Sequence, residues 1–158
     1  MQQNNIQKKV VIGGTFDVLH KGHEALLSKA FELGIVTIGL TSDIMVKNTK
    51  NREVSDFESR EKELKDFIIR NFKTEAEIIK IEDKYGTTLK EDFDYIVVSP
   101  ETYDTAVLIN QEREKRNKPQ IEIIKINFVE AEDGKPISSL RISKGEIDKE
   151  GKLLYGQN

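Results

Sequence analysis

The hydrophobic positions of this chain fall into short continuous runs, separated by longer stretches in which apolar residues recur every three or four positions. Val10–Ile12 is the first run and stops at Gly13-Gly14, and Val36–Leu40 and Ile78–Ile81 follow. Tyr95–Val98 is the fourth, closed by Ser99-Pro100, and Ile121–Ile126 is the fifth, set off by Lys118-Pro119. Short runs rich in β-branched residues and bounded by Gly, Pro or Ser predict buried strands. Helical spacing runs through Gly22–Leu33, Phe57–Phe72 and Glu101–Asn117, and through Ser139–Lys149 after the last run. In the second of these, Leu64, Phe67, Ile68 and Phe72 form one stripe. Strands alternating with helices in this way predict a parallel sheet covered on both faces. With right-handed crossovers the fold is a doubly wound, Rossmann-like α/β domain of five parallel strands, with ligands expected at their carboxyl ends. The whole of 1–158 reads as one domain. The polar stretch Lys47–Asp56 is expected to be a loop, and the ends, 1–8 and 151–158, to fray.

Composition narrows the function more than the fold. There is no cysteine, and a chain of 158 residues buries enough surface to need neither disulfide nor structural metal. The 25 basic and 28 acidic residues are spread along the chain to a net charge of −3, which speaks against a nucleic-acid partner. No apolar run approaches the roughly 20 residues that span a bilayer. Met1–Gln7 is too polar for a secretory signal. The expectation is a soluble cytoplasmic protein with no membrane partner, as a monomer or small homo-oligomer.

The candidate chemistry is concentrated in Gly13-Gly14-Thr15-Phe16-Asp17-Val18-Leu19-His20-Lys21-Gly22-His23. It joins the first strand to the first helix, at the edge where free helix N–H groups favour an anion. Gly14 and Gly22 let backbone approach a phosphate, and Thr15 offers a hydroxyl. Both of the chain's histidines, His20 and His23, lie here and can converge on one small target. Nucleotidyl transfer needs positioning and charge stabilisation at the α-phosphate more than covalent help, and histidine donors suit it. A zinc site is disfavoured, since two histidines with no cysteine leave it short of ligands. The glycine pattern is neither a dinucleotide fingerprint nor a P-loop. Later in the chain, Pro136-Ile137-Ser138-Ser139-Leu140-Arg141 puts two serines at a predicted helix start, with Arg141 available to neutralise phosphate.

G-G-T-F-D-x-L-H-x-G-H resembles the signature of the HxGH nucleotidylyltransferases, and the late Ile-Ser-Ser-x-Arg segment resembles their second marker. The full set is most similar to the phosphopantetheine adenylyltransferases of the archaeal and eukaryotic type, from about Lys9 to Leu154. Gly39–Asp43, Ser59-Arg60, Val97–Thr102 and the Asn110/Arg113 pair carry the closer likeness. Leu140 departs from the more usual Thr, and Pro100 from an acidic or polar residue. The resemblance implies transfer of AMP from ATP to 4′-phosphopantetheine, with Mg2+ accompanying the triphosphate and no dedicated protein metal site. It implies that His20, His23, Lys47 and Arg141 act on the reacting phosphates. It further implies that Gly14, Thr15, Phe16, Asp17, Gly22, Arg60, Ser99, Glu101, Thr102, Asn110, Arg113, Ser138 and Ser139 contact the substrates. The alternatives are the same chemistry on nicotinamide mononucleotide or glycerol phosphate, with ATP or CTP, and a nucleotide-binding module without catalysis.

Overall fold

A computed structural model describes residues 7–50 and 52–154. Its elements run β1 Lys9–Gly14, α1 Lys21–Leu33, β2 Ile35–Thr41, α2 Asp43–Thr49, α3 Phe57–Phe72 and β3 Glu77–Ile81, then β4 Tyr95–Val98, α4 Tyr103–Lys115, β5 Glu122–Lys125 and α5 Ser139–Ser143. The five strands form one parallel sheet in the order β3-β2-β1-β4-β5. Chain order runs outward from β1 to β3, then crosses to β4 on the other side. The boundary between β1 and β4 is therefore the switch point, whose carboxyl edge opens a crevice.

Side chains on successive β1 residues point to opposite faces, and the two cores record this. Val10 and Ile12 pack with Leu27 and Ala30 of α1 and Leu64 and Ile68 of α3. Val11 packs with Ile96 and Val98 of β4 and Ala106 and Ile109 of α4 on the other face. This is the covering on both faces that the continuous apolar runs require. A third small cluster of Ala131, Ile137 and Ile147 holds the segment beyond β5.

Four expectations change. Lys47 sits on α2, a short helix capped by the Ser42 hydroxyl accepting from Met45 N–H at 3.1 Å, so the polar stretch is helical as far as Thr49. The last helix ends at Ser143 rather than Lys149, because Gly145 at φ +75° turns the chain away. Lys8 is tied down through its carbonyl, which accepts from Ile35 N–H at 2.8 Å. Gly151, at φ +87°, is buried against Ala131 and Ile137, and Leu153 pairs with Ile147. That segment is anchored by the third cluster as far as it is described. The remaining residues expected to fray, 1–6 and 155–158, lie outside the described residues. Among the described residues, no helix is long and apolar enough to cross a membrane.

Candidate functional site

The turn from Thr15 to His20 leaves the carboxyl end of β1 in an unusual conformation. Phe16 and Val18 have φ of 50° and 46°, a left-handed region that a β-branched residue such as Val18 rarely enters. Such residues cost about 1–3 kcal/mol each and persist only where their surroundings over-determine them. Here the surroundings do so. Phe16 and Leu19 are buried in the core beneath the turn. Arg60 of α3 donates to Thr15 carbonyl at 3.1 Å. The Ser139 hydroxyl donates to the carbonyls of Asp17 and Val18, a contact across more than a hundred residues of chain. Arg52 Nη1 donates to the Asp17 carboxylate at 2.9 Å. Three tethers from distant segments thus fix one strained turn.

A directed chain of hydrogen bonds reaches the turn from below. Arg60, which can only donate, gives Nη1–H to Thr41 Oγ1 at 3.3 Å, and Thr41 O–H is given on to Thr15 Oγ1 at 3.1 Å. Thr15 is left with its own hydroxyl proton to donate. Arg60 itself is 1% exposed, and it also donates to Ser55 carbonyl and to the Asp43 carboxylate. The structure therefore corrects the expectation that Arg60 meets substrate. It is a buried brace joining α3, β2, α2 and the turn.

The two histidines form the first turn of α1. His20 is the N-cap, and its Nδ1 accepts from Gly22 N–H at 2.9 Å. His23 is the third helical residue, and its Nδ1 accepts from His20 N–H at 3.2 Å. This is a capping box built from imidazoles in place of the usual hydroxyl and carboxamide or carboxylate. An acceptor Nδ1 carries no proton, so each neutral ring holds its proton on Nε2. The rings lie 4.0 Å apart between centroids, and Phe16 lies against His23. Burial pushes His20 down to about 4. Burial, and then the neighbouring His20, push His23 down to about 3. Both are neutral Nε2–H donors at pH 7. Gly22 is required by the same geometry, since a Cβ there would sit 2.7 Å from His20 Cε1.

Around this turn stand the start of α5 and the ends of β1, β4 and α2. Ser138 caps α5, its hydroxyl accepting from Arg141 N–H at 3.1 Å, while Ser139 is committed to the turn. Gly14 ends β1 with the Phe16 ring 3.0 Å from where its Cβ would be, which explains the small residue there. Ser99, Glu101 and Thr102 lie at the carboxyl end of β4, where Thr102 Oγ1 accepts from Ser99 N–H at 3.2 Å. Glu101 meets Lys50 Nζ at 3.9 Å, linking the end of α2 to this loop. Lys47 is exposed on the last turn of α2, at the same edge of the sheet. Arg141 is turned toward Asp133 and Glu146, donating to both carboxylates and to Pro136 carbonyl. The Asp133 carboxylate, followed by that of Glu146, raises its pKa further.

Two expected contacts are corrected outright. Arg113 is fully buried and donates to the carbonyls of Pro119, Thr88 and Glu91 and to Asp92, the last two residues lying just before β4 begins. Asn110 pairs both ways with the backbone of Ile121, just before β5. Both therefore brace the amino edge of the sheet, opposite the crevice. Thr41 and Arg52 belong to the site and had no expectation attached. Arg52 stands alone in a polar stretch, where its pairing with Asp17 leaves no mark in local sequence.

Comparison with known proteins agrees with the geometry. The cytidylyltransferase-like family model matches residues 11–145. A phosphopantetheine adenylyltransferase of Archaeoglobus fulgidus is 49% identical over 148 residues, covering 92% of this chain and 99% of the relative. One of Methanosarcina acetivorans is 51% identical over 150 residues, covering 92% and 95%. A crystal structure of a protein of unknown function from Archaeoglobus fulgidus superposes with a TM-score of 0.72 at 45% identity, covering 76% of this chain and 98% of that one. The chain belongs to the cytidylyltransferase-like family and, within it, to the phosphopantetheine adenylyltransferases.

Proposed function

We propose that the chain transfers AMP from ATP to 4′-phosphopantetheine, giving dephospho-coenzyme A and pyrophosphate. One observation carries the chemistry. Two neutral imidazoles, with both Nδ1 atoms bound to backbone, keep their Nε2–H groups as donors beside a helix start on the carboxyl edge. The acceptor's phosphate attacks the α-phosphorus in line and pyrophosphate leaves. An ionised phosphate is already a nucleophile, so no general base is needed. Charge moves onto phosphoryl oxygens, and fixed donors there lower the barrier without reorganising. Neutral donors suit the task, because they are already held in position by the fold and cannot trap the product as a cation would.

The His20/His23 turn and Ser138 line the nucleotide side of the crevice, with Thr15 O–H as a further donor. Ser99 and Thr102 border it from β4. Lys47 is proposed to meet the acceptor's phosphate. Arg141 reaches the triphosphate only by exchanging part of its bonding to Asp133 and Glu146, which makes it the weakest of the phosphate contacts. Mg2+ is proposed to arrive on the triphosphate, since it keeps several waters and takes phosphate oxygens readily. No group of three His, Cys, Asp or Glu able to hold a metal is present among the described residues. A cytoplasmic location suits a reaction fed by ATP.

The experiment is steady-state turnover with ATP and CTP against 4′-phosphopantetheine, nicotinamide mononucleotide and glycerol phosphate. ATP with 4′-phosphopantetheine is expected to give the highest kcat/KM by at least about a hundredfold, the discrimination that hydrogen-bonded recognition supports. Equal use of CTP, or better use of another acceptor, overturns the reading.

A further inference from the structure

We infer that Arg52 contacts the acceptor's phosphate during transfer, and that Asp17 is the positioning residue that aims it. The inference rests on the acceptor proposed above. Asp17 is 7% exposed and its carboxylate lies in the very turn that must receive a polyanion. An unpaired carboxylate there would repel substrate, so the turn gains from a cation beside it. Arg52 supplies that cation from the connection between α2 and α3, through Nη1 alone, which also touches Glu53 carbonyl at 3.4 Å. Its Nε–H and Nη2 hydrogens make no hydrogen bond among the described residues. The side chain is neither buried nor fully free, at 19% exposure.

Comparison with the other arginines of the site makes Arg52 distinct. Arg60 has its Nε and both terminal nitrogens bonded to the protein. Arg141 has the same saturation, against Asp133, Glu146 and Pro136. Among the described residues of the site, Arg52 alone combines an anchored nitrogen with an edge that makes no hydrogen bond. A guanidinium donates along two edges, so one can stay on Asp17 while the other grips a phosphate. Arg52 follows α2, whose last turn carries Lys47, the cation proposed above to meet the acceptor's phosphate.

Arg52→Ala should lower kcat/KM for 4′-phosphopantetheine about a hundredfold, the cost of one charge-stabilising donor, while the Kd for ATP measured alone changes less than about threefold. Inhibition by pantetheine, which has no phosphate, should be unchanged. Arg52→Lys should not recover activity, because an ammonium lacks the second edge. Arg52→Gln, which can still donate to Asp17, keeps the turn tethered if Arg52→Ala loosens the fold. The double variant Asp17→Asn/Arg52→Ala separates contact from neutralisation. If Arg52 touches phosphate, the double variant stays as slow as Arg52→Ala. If it recovers toward wild type, Arg52 only neutralises Asp17 and the inference is overturned. Equal weakening of ATP, pantetheine and 4′-phosphopantetheine overturns it as well. Each value is a ratio to wild type on the same acceptor. A wild type inert toward 4′-phosphopantetheine therefore overturns the acceptor assignment, whereas Arg52→Ala turning over at the wild-type rate overturns this inference alone.

Discussion

His23 has two jobs that substitution can separate. Its Nδ1 closes the capping box on His20 N–H, and its Nε2–H is left as a donor for phosphate. His23→Ala removes both. Loss of a cap costs about 1–2 kcal/mol, or roughly 3–6 °C in Tm for a chain of this size. Loss of a donor at the reacting phosphate costs on the order of a hundred- to a thousandfold in kcat. These two losses alone do not distinguish a catalytic histidine from a destabilised helix. His23→Glu does. Glutamate is the usual third residue of a capping box, and its carboxylate also interacts favourably with the helix start, so the Tm should return to within about 2 °C of wild type. Its carboxylate brings no proton to donate and repels the triphosphate, so kcat should stay at or below that of His23→Ala. Thermal unfolding by circular dichroism and pyrophosphate release under saturating ATP measure the two axes. Activity that rises with Tm in His23→Glu would falsify the donor role. So would His23→Ala retaining more than a tenth of wild-type kcat.

Three further outcomes follow from the same geometry. His20 and His23 titrate near 4 and 3 when folded and near 6.5 when unfolded, so between these values the unfolded chain binds more protons. Stability from this source is complete above about 6.5 and falls as pH drops toward 4 by up to about 1.4 kcal/mol per pH unit per histidine; urea midpoints should show a shallower fall in His20→Asn/His23→Gln. Lys47→Ala should raise the KM for 4′-phosphopantetheine with little change in ATP affinity, against Lys62→Ala on the exposed side of α3 as control; Lys50 is unsuitable because it meets Glu101. Equal effects of the two substitutions would make Lys47 an ordinary surface lysine. Arg113→Met should cost about 3 kcal/mol or more, since it orphans three carbonyls and Asp92, and lower Tm by roughly 6–12 °C. The surviving folded enzyme should show unchanged KM values below that transition, and a raised KM for ATP would return Arg113 to the site.

The sequence by itself determined the parallel sheet, because a strand buried on both faces has to be apolar at every position, and this shows in a window of a few residues. It also determined the histidine turn, since both histidines fall within four residues at the end of a strand. It did not determine α2, seven residues long and too short for its periodicity to register, whose lone buried residue is Val46. Nor did it determine what each arginine does. Arg60 and Arg113 lie among charged neighbours that read as solvated helix faces, yet both are buried by carbonyls supplied from elsewhere in the chain. Asn110 and Arg113 are one turn apart on α4, and local spacing says nothing of which edge of the sheet that turn will meet. The strained turn is held by Ser139 and Arg52, partners separated from it by 122 and 35 positions. Short-range propensity decides which elements form. Which polar groups then pair depends on contacts made only after the sheet has brought distant segments together, and those contacts turn one arginine into a brace and leave another with donors to spare.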